Sequence, residues 1–405
     1  VNEISMSALD AKDSAPKPLD APEFTAKTAG PPRKRGARFA RMALLGLVLL
    51  VALFARPARR HADAARLFAR FADPNATVPG LVETEVSVPT PRGEVRAKLF
   101  SKGDVSGKPA VVLVHGVQYR SIDEPRLLRF ARAVADTGIV VLAPEIRELA
   151  DYHVDKKSID TIGAATVHLA SLTGHPRVGI MGMSFGGGLS LLTVADPRFR
   201  DGVGFVVAVG AHDDLGRILS FFATDTIVLP DGSAHAQKAH GYGATVLVYN
   251  RVEDFFPAED VPEARLALRA WLQEKRDDAR KHGQNLSPEG KKKLEKVLDS
   301  DASVLRPDLE AVLARHREED LGVSPHGHLD GLRAPVYLLH GEGDSVIPAS
   351  ETRWLAADVP PGLLRDAVVS PAIEHVEVHG EPTLAQKWEL VHFMGQVIGE
   401  AEGLP

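Results

Sequence analysis

Gly182-Met183-Ser184-Phe185-Gly186 is the group of residues whose types and spacing most directly carry chemistry. A serine with glycines two residues to either side suits a turn too sharp for larger neighbours, and such a turn lifts the hydroxyl clear of a sheet as a nucleophile. The surroundings agree: the apolar run 177–181 precedes the pentapeptide, and a small-residue, helix-compatible stretch follows it. A strand, a sharp turn and a helix are therefore expected in that order, with Ser184 at the turn.

Two further segments have the same form. Residues 109–118 run Pro-Ala-Val-Val-Leu-Val-His-Gly-Val-Gln, and residues 334–348 run Ala-Pro-Val-Tyr-Leu-Leu-His-Gly-Glu-Gly-Asp-Ser-Val-Ile-Pro. Unbroken apolar runs predict strands covered on both faces, since a half-exposed strand would alternate with period two. The second segment places an acidic residue, Asp344, four past His340. A later strand is expected at 366–370, followed by two histidines, His375 and His379, ahead of a helix beginning near Pro382.

The order serine, acid, histidine, with the motif HGxGDxxIP around Asp344, resembles the α/β-hydrolase superfamily. The resemblance covers roughly residues 84–211 and 333–405. It implies an α/β fold, a mainly parallel sheet with helices on both faces, and a serine hydrolase acting through an acyl-enzyme. Ser184 would be the nucleophile, His375 the base with His379 as its rival, and Asp344 the acid that orients the imidazole. The Val117 and Phe185 amides would form the oxyanion hole, and Gly182 and Gly186 would be the elbow glycines. Some members carry the acid after the preceding strand, so Asp213 and Asp214 compete with Asp344; an N-cap role at the helix starting near Leu215 is the plainer reading of that pair. No cofactor or metal is implied. A carboxylic ester of a small-molecule, possibly lipid-derived, acyl group is the expected substrate. A peptidase, an acyltransferase and a non-catalytic binding protein on the same fold stay open.

Composition is compatible with this. A net charge of −6 and the lack of a basic stripe argue against nucleic-acid binding. The chain has no cysteine, which excludes thiol catalysis. Residues 1–41 are rich in proline and charge and poor in large apolar residues, the composition of a disordered tail. The run 42–55 is uncharged and flanked by arginines, so 42–56 is expected to be a membrane anchor and 57–83 a linker. Its fourteen residues fall short of the roughly 20 of a full span, and a cleaved signal peptide or a buried helix are the rival readings. The flanking basic residues are nearly balanced and lean only slightly toward an external catalytic domain.

The core is expected to begin with a hairpin at 84–88 and 94–100, then alternate helix (124–136, 158–172) with strand (139–142), and close on a helix marked by Trp388, Leu390, Val391 and Phe393. The first core part thus spans 84–211 and the second 333–405. Residues 212–332 are too many for a loop and predict an inserted helical cap, with helices starting at Pro262 and Pro288 and a third around Val312. Phe221, Phe222, Phe255 and Phe256 could line a pocket or simply pack. Within the return from the cap, His326, His328 and Asp330 imitate a metal-ligand spacing without further ligands nearby, and Lys291-Lys292-Lys293 suits a solvated helix face.

Overall fold

The structure is a computed structural model that describes residues 35–299, 306–374, 377–378 and 382–404. From Ala55 onward the chain forms one compact unit. In chain order the elements up to the insertion are α1 (Arg35–Ala72), β1 (Leu81–Thr90), β2 (Gly93–Lys102), β3 (Ala110–Val114), α2 (Pro125–Asp136), β4 (Val140–Pro144), α3 (Arg147–Ala150), α4 (Lys157–Thr173), β5 (Val178–Met183), α5 (Phe185–Ala195) and β6 (Val203–Val209). The insertion carries α6 (Leu215–Thr224), the short hairpin β7 (Thr226–Val228) and β8 (Ala234–Ala236), α7 (Gly241–Asn250), α8 (Val252–Phe255), α9 (Val261–Leu272), α10 (Arg276–Gly283), α11 (Pro288–Leu298) and α12 (Arg306–Leu321). The core resumes with β9 (Val336–Gly341), α13 (Ser350–Asp358), β10 (Leu364–Ser370), the two-residue strands β11 (Ile373–Glu374) and β12 (Glu377–Val378), and α14 (Leu384–Glu402).

Eight strands form one sheet in the order β1-β2-β4-β3-β5-β6-β9-β10. From β4 to β10 every pairing is parallel, while β1 and β2 are an antiparallel hairpin at one edge. This is the expected mainly parallel α/β architecture. Side-chain alternation along the strands explains why the apolar runs had to be continuous. Val112, Val114, Ile180, Val206 and Leu338 face one core with α4 and α5, whereas Val111, Leu113, Met181, Val207 and Leu339 face a second core with α2 and α14. Both faces are covered, so neither tolerates polar residues.

β6 and β9 are direct parallel neighbours, with Val206 opposite Val336 and Val209 opposite Leu339. The whole segment 210–335 therefore leaves and rejoins the sheet between two adjacent strands. Its helices start where the sequence placed them: Pro262 lies in the first turn of α9, and Ser287 caps α11 through a bond from Gly290 N–H. Leu268, Leu272, Leu294, Val297 and Val312 are buried in the same core as the strands' first face, so the insertion packs onto the sheet's own core. Of the lysine run, Lys293 Nζ donates to Phe255 O at 2.5 Å.

The N-terminal expectations fare differently. The segment 42–56 lies within α1, and among the described residues no helix is long and apolar enough to cross a membrane, so the anchor gains no support. The expected linker is instead helical to Ala72, because the Ala-, Leu- and Arg-rich sequence favours helix and the charges that end the apolar run do not end the helix. Ala64 and Leu67 are buried in the second core. Asp136, at the end of α2, gathers Arg70 Nε at 2.7 Å, Lys102 Nζ at 2.5 Å and Arg66 Nε at 3.3 Å, which ties the last turns of α1 to the core. Leu67→Ala is accordingly expected to cost about 2–5 kcal/mol in denaturant unfolding, as a core truncation does; a linker position would change stability by less than about 0.5 kcal/mol.

Candidate active site

Ser184 has φ 54° and ψ −133°, a backbone conformation that a residue with a side chain adopts only when its surroundings enforce it. The enforcement is visible on both sides. Ser184 N–H donates to Val209 O at 2.7 Å, and Ser184 O accepts from Gly187 N–H at 2.8 Å. A Cβ on Gly182 would lie 2.4 Å from Ser190 Oγ and 2.5 Å from Gly186 O; one on Gly186 would lie 2.4 Å from His115 O. The two elbow glycines thus let β5, α5 and the turn after β3 close to backbone contact. Gly116 completes the turn: its Cβ would sit 2.9 Å from Ser184 Cβ and 3.5 Å from Ser184 Oγ.

Phe185 is the first residue of α5, where an N–H has no intrahelical acceptor and the helix dipole favours negative charge. Val117 follows Gly116. Among the described residues neither amide has a hydrogen-bond partner. The Val117 N–H is held in place through its own peptide plane. His115 Nδ1 lies 2.7 Å from Gly116 O, and in a trans peptide that carbonyl points opposite to the Val117 N–H. Ile146 N–H donates to His115 Nε2 at 3.0 Å, so the ring's proton sits on Nδ1, where it can donate to Gly116 O. Ser121 Oγ is also 2.9 Å from His115 Nε2. Burial of the ring pushes its pKa down to about 4, with the bond to Gly116 opposing that shift.

Asp344 is fully buried at the end of β9. Its Oδ1 accepts from Val346 N–H at 2.8 Å and Ile347 N–H at 3.0 Å, which fixes the carboxylate in the turn. His340, from the same motif, lies in the strand's buried end with Nε2 2.8 Å from Ile347 O and Nδ1 2.6 Å from Thr352 Oγ1. The histidine candidates His375 and His379 lie outside the described residues; the chain before them enters from β10 and leaves through α14, which Thr383 caps with a reciprocal bond to Gln386.

Asp213 and Asp214 have other partners. Asp214 caps α6 by accepting from Arg217 N–H at 2.9 Å. Asp213, fully buried, pairs with Arg217 Nη2 at 2.8 Å, and burial followed by the nearby Glu351 raises its pKa to about 7. The spacing of His326, His328 and Asp330 does not converge on one point: His328 Nδ1 bonds Ser324 O, while His326 Nδ1 lies 2.6 Å from Asp358 Oδ2 and 3.4 Å from Asp213 Oδ2.

Two cavities meet at Val117, Tyr152 and Phe185. One, of about 560 Å³, has an apolar wall of Leu215, Leu219, Phe222 and Val246 and a charged side with Lys156, Arg251 and Glu319; the other, of about 710 Å³, contains Ser184 and is bounded by Tyr119, His240, Tyr242, Trp271 and Arg276. Of the four phenylalanines considered, Phe222 lines a cavity; all four are buried. Sequence reasoning missed Tyr152, His240 and Tyr242. Tyr152 has a positive φ of 64° and donates from its hydroxyl to Leu272 O at 2.6 Å, joining the core to α9. No local pattern marks a tyrosine whose partner lies 120 residues away.

No family model matches the chain, and no curated protein does. Solved structures align over most of it at low identity. An esterase from Pyrobaculum calidifontis, in a monoclinic form, is 16% identical over 90% of this chain and 97% of its own, with a TM-score of 0.42. A hypothetical protein from Pseudomonas aeruginosa is 14% identical over 80% and 97%, with a TM-score of 0.44. An acylaminoacyl peptidase bound to a chloromethyl ketone is 12% identical over 79% and 41%, also at 0.44. Likeness at this level carries no functional argument; the strand order and the Ser184 turn stand on their own geometry.

His115 gives the site a pH signature. Its folded pKa lies below the 6.5 of an unfolded imidazole, so the unfolded chain takes up the proton first as pH falls. The stability that the neutral ring contributes is complete above pH 6.5 and lost as pH falls toward about 4. Asp213, with a raised pKa, acts with opposite sign over part of that range, so the comparison is made between wild type and His115→Gln. The stability difference between them is expected to shrink by about 3 kcal/mol between pH 7 and pH 4 in denaturant titrations; a constant difference would contradict a neutral buried His115.

Proposed function

We propose that the protein is a serine hydrolase that cleaves a carboxylic ester through an acyl-enzyme intermediate. The observation that carries this reading is the enforced positive-φ turn at Ser184, with two amides beside it, of Val117 and Phe185, that have no hydrogen-bond partner among the described residues. A strained turn at a glycine-bracketed serine has little structural use. It does have a catalytic one, because it presents Oγ beside donors that can take up the charge of a tetrahedral intermediate.

In this reading His375 accepts the Ser184 proton as Oγ attacks the carbonyl carbon, and returns it to the departing alcohol. Asp344 stays ionised and fixes the imidazole tautomer. Water then attacks the acyl-enzyme with the same base, and Ser184 leaves as the alcohol. The acyl chain would lie along the apolar wall (Leu215, Leu219, Phe222, Val246) of the 560 Å³ cavity, whose rim also carries charged groups such as Lys156, Arg251 and Glu319, and the alcohol would leave through the aromatic and arginine-lined 710 Å³ cavity that contains Ser184. The cavity sizes suit a small-molecule ester.

Labelling with a fluorophosphonate, followed by intact mass, tests the assignment. Wild type is expected to gain one adduct, Ser184→Ala none, and hydrolysis of a short acyl ester is expected to fall by about 10⁴-fold or more in Ser184→Ala and His375→Ala. His379→Ala is expected to keep its reactivity. A folded wild type that takes no label would sink the proposal.

A further inference from the structure

After α6 the insertion forms the short β7–β8 hairpin, which leads into residues 237–242, a stretch without regular structure at 237–240 and the start of α7 at Gly241 and Tyr242, beside the Ser184 cavity. The root of this segment is pinned to the end of α6. Asp225 has a left-handed backbone with φ 53°; its carbonyl accepts from Gln237 N–H at 2.9 Å, its Oδ1 from Ala239 N–H at 2.8 Å, and its Oδ2 pairs with Lys238 Nζ at 2.8 Å. The far end is pinned as well: His240 Nδ1 accepts from Tyr242 N–H at 3.2 Å as the cap of α7, and Gly243 leaves room for the Phe222 ring, which a Cβ there would approach to 2.4 Å.

Beyond these bonds the segment reaches the two loops that carry the proposed chemistry through three of its residues. Gln237 Nε2 donates to Asp344 O at 2.7 Å, His240 N–H donates to Ser345 O at 2.8 Å, and Tyr242 hydroxyl donates to Val117 O at 3.2 Å. The last bond completes the support of the oxyanion turn. His115 holds the peptide that contains the Val117 N–H; the next peptide is held by Tyr242 at its carbonyl and by Leu149 O at the Gln118 N–H, 3.1 Å away. With both planes fixed, Val117 has little freedom left in either dihedral.

We infer that residues 237–242 are a strap belonging to the catalytic frame, and that Tyr242 is a positioning residue that sets the oxyanion donor Val117 from the insertion side. The inference rests on the serine hydrolase reading of the site. It makes the beginning of the insertion a fixed part of the site, because lifting it would release the acid loop and the oxyanion turn together. Electrostatic stabilisation depends on donors already placed where charge develops, so losing the hydroxyl acts on the transition state more than on ground-state binding.

Tyr242→Phe keeps the ring and removes the bond. With a short acyl ester, kcat is expected to fall by about 10-fold to 100-fold, with KM within about 2-fold, an unchanged Tm, and fluorophosphonate labelling still stoichiometric but slower. Unchanged kcat and labelling rate would overturn the inference. So would a loss confined to KM, or a loss that follows a lowered Tm, since either would make Tyr242 a binding or structural residue. Gln237→Ala, at a partly exposed position, removes a different bond of the same strap and is expected to lower kcat several-fold at constant Tm; wild-type kcat in that variant would also count against the strap. If wild type itself takes no label, the failure belongs to the serine hydrolase reading and not to Tyr242.

Discussion

The backbone of Ser184 is held in a conformation that costs about 1–3 kcal/mol, and much of the surrounding architecture exists to hold it there. Three pieces of main chain meet at this residue: the end of β5, the first turn of α5 and the turn after β3. They come close because Gly116, Gly182 and Gly186 each stand where a side chain would collide with a neighbouring atom within 3 Å. The same economy continues below the turn. Gly179, near the start of β5, gives its side-chain space to the Phe205 ring, whose Cζ would be 2.3 Å from a Cβ at that position. The strand can then lie flat between β3 and β6 and deliver the serine at its C-terminal end, in the middle of the sheet.

A strained turn stays in place only if its surroundings cannot relax, and two buried histidines show how that is arranged. His115 and His340 occupy equivalent places at the ends of β3 and β9, each followed by glycine, and each bonds a backbone carbonyl of its own turn with one ring nitrogen. A protonated His115 ring would lose the acceptor that Ile146 N–H needs. The buried, neutral His115 ring therefore acts as a rigid strut under the oxyanion turn, and His340 braces the acid turn through Ile347 O and Thr352 Oγ1.

Much of this was legible in the sequence because the signals are local. Continuous apolar runs gave the buried strands, the elbow glycines marked the sharp turn, and Pro262, Ser287 and Thr383 stand at or beside helix starts as their chemistry requires. Residues 57–72 were misread as linker because their burial depends on partners far along the chain: Leu67 packs with the residues of α14, and Arg66 and Arg70 reach Asp136. α10 escaped notice since a mostly charged eight-residue helix has little apolar pattern to read; Ala279 is its buried contact. The tyrosines at the site were invisible for the same reason as the linker. A hydroxyl that bonds a carbonyl 120 or 125 residues away leaves no trace in spacing.

The return of the insertion to the core is organised by charge balance among buried groups. Asp213 and Glu351 both have fully buried side chains, and both bond the one guanidinium of Arg217. Glu351 is satisfied further by the N–H groups of Asp213 and Asp214, each at 2.9 Å, whereas Asp213 Oδ1 has no partner. Two buried anions against one cation leave a deficit, and a proton on Asp213 is the least costly way to remove it, as its raised pKa indicates. His326 lies at the rim of this group, with Asp358 beyond it, and its backbone N–H donates to Asp213 O at 3.0 Å. Together these bonds form a joint that binds the turn after β6, the chain entering β9 and α13 to one another. That joint fixes the insertion's exit as firmly as Asp225 fixes the approach to α7, so the segment between them is held at both ends where it crosses the site.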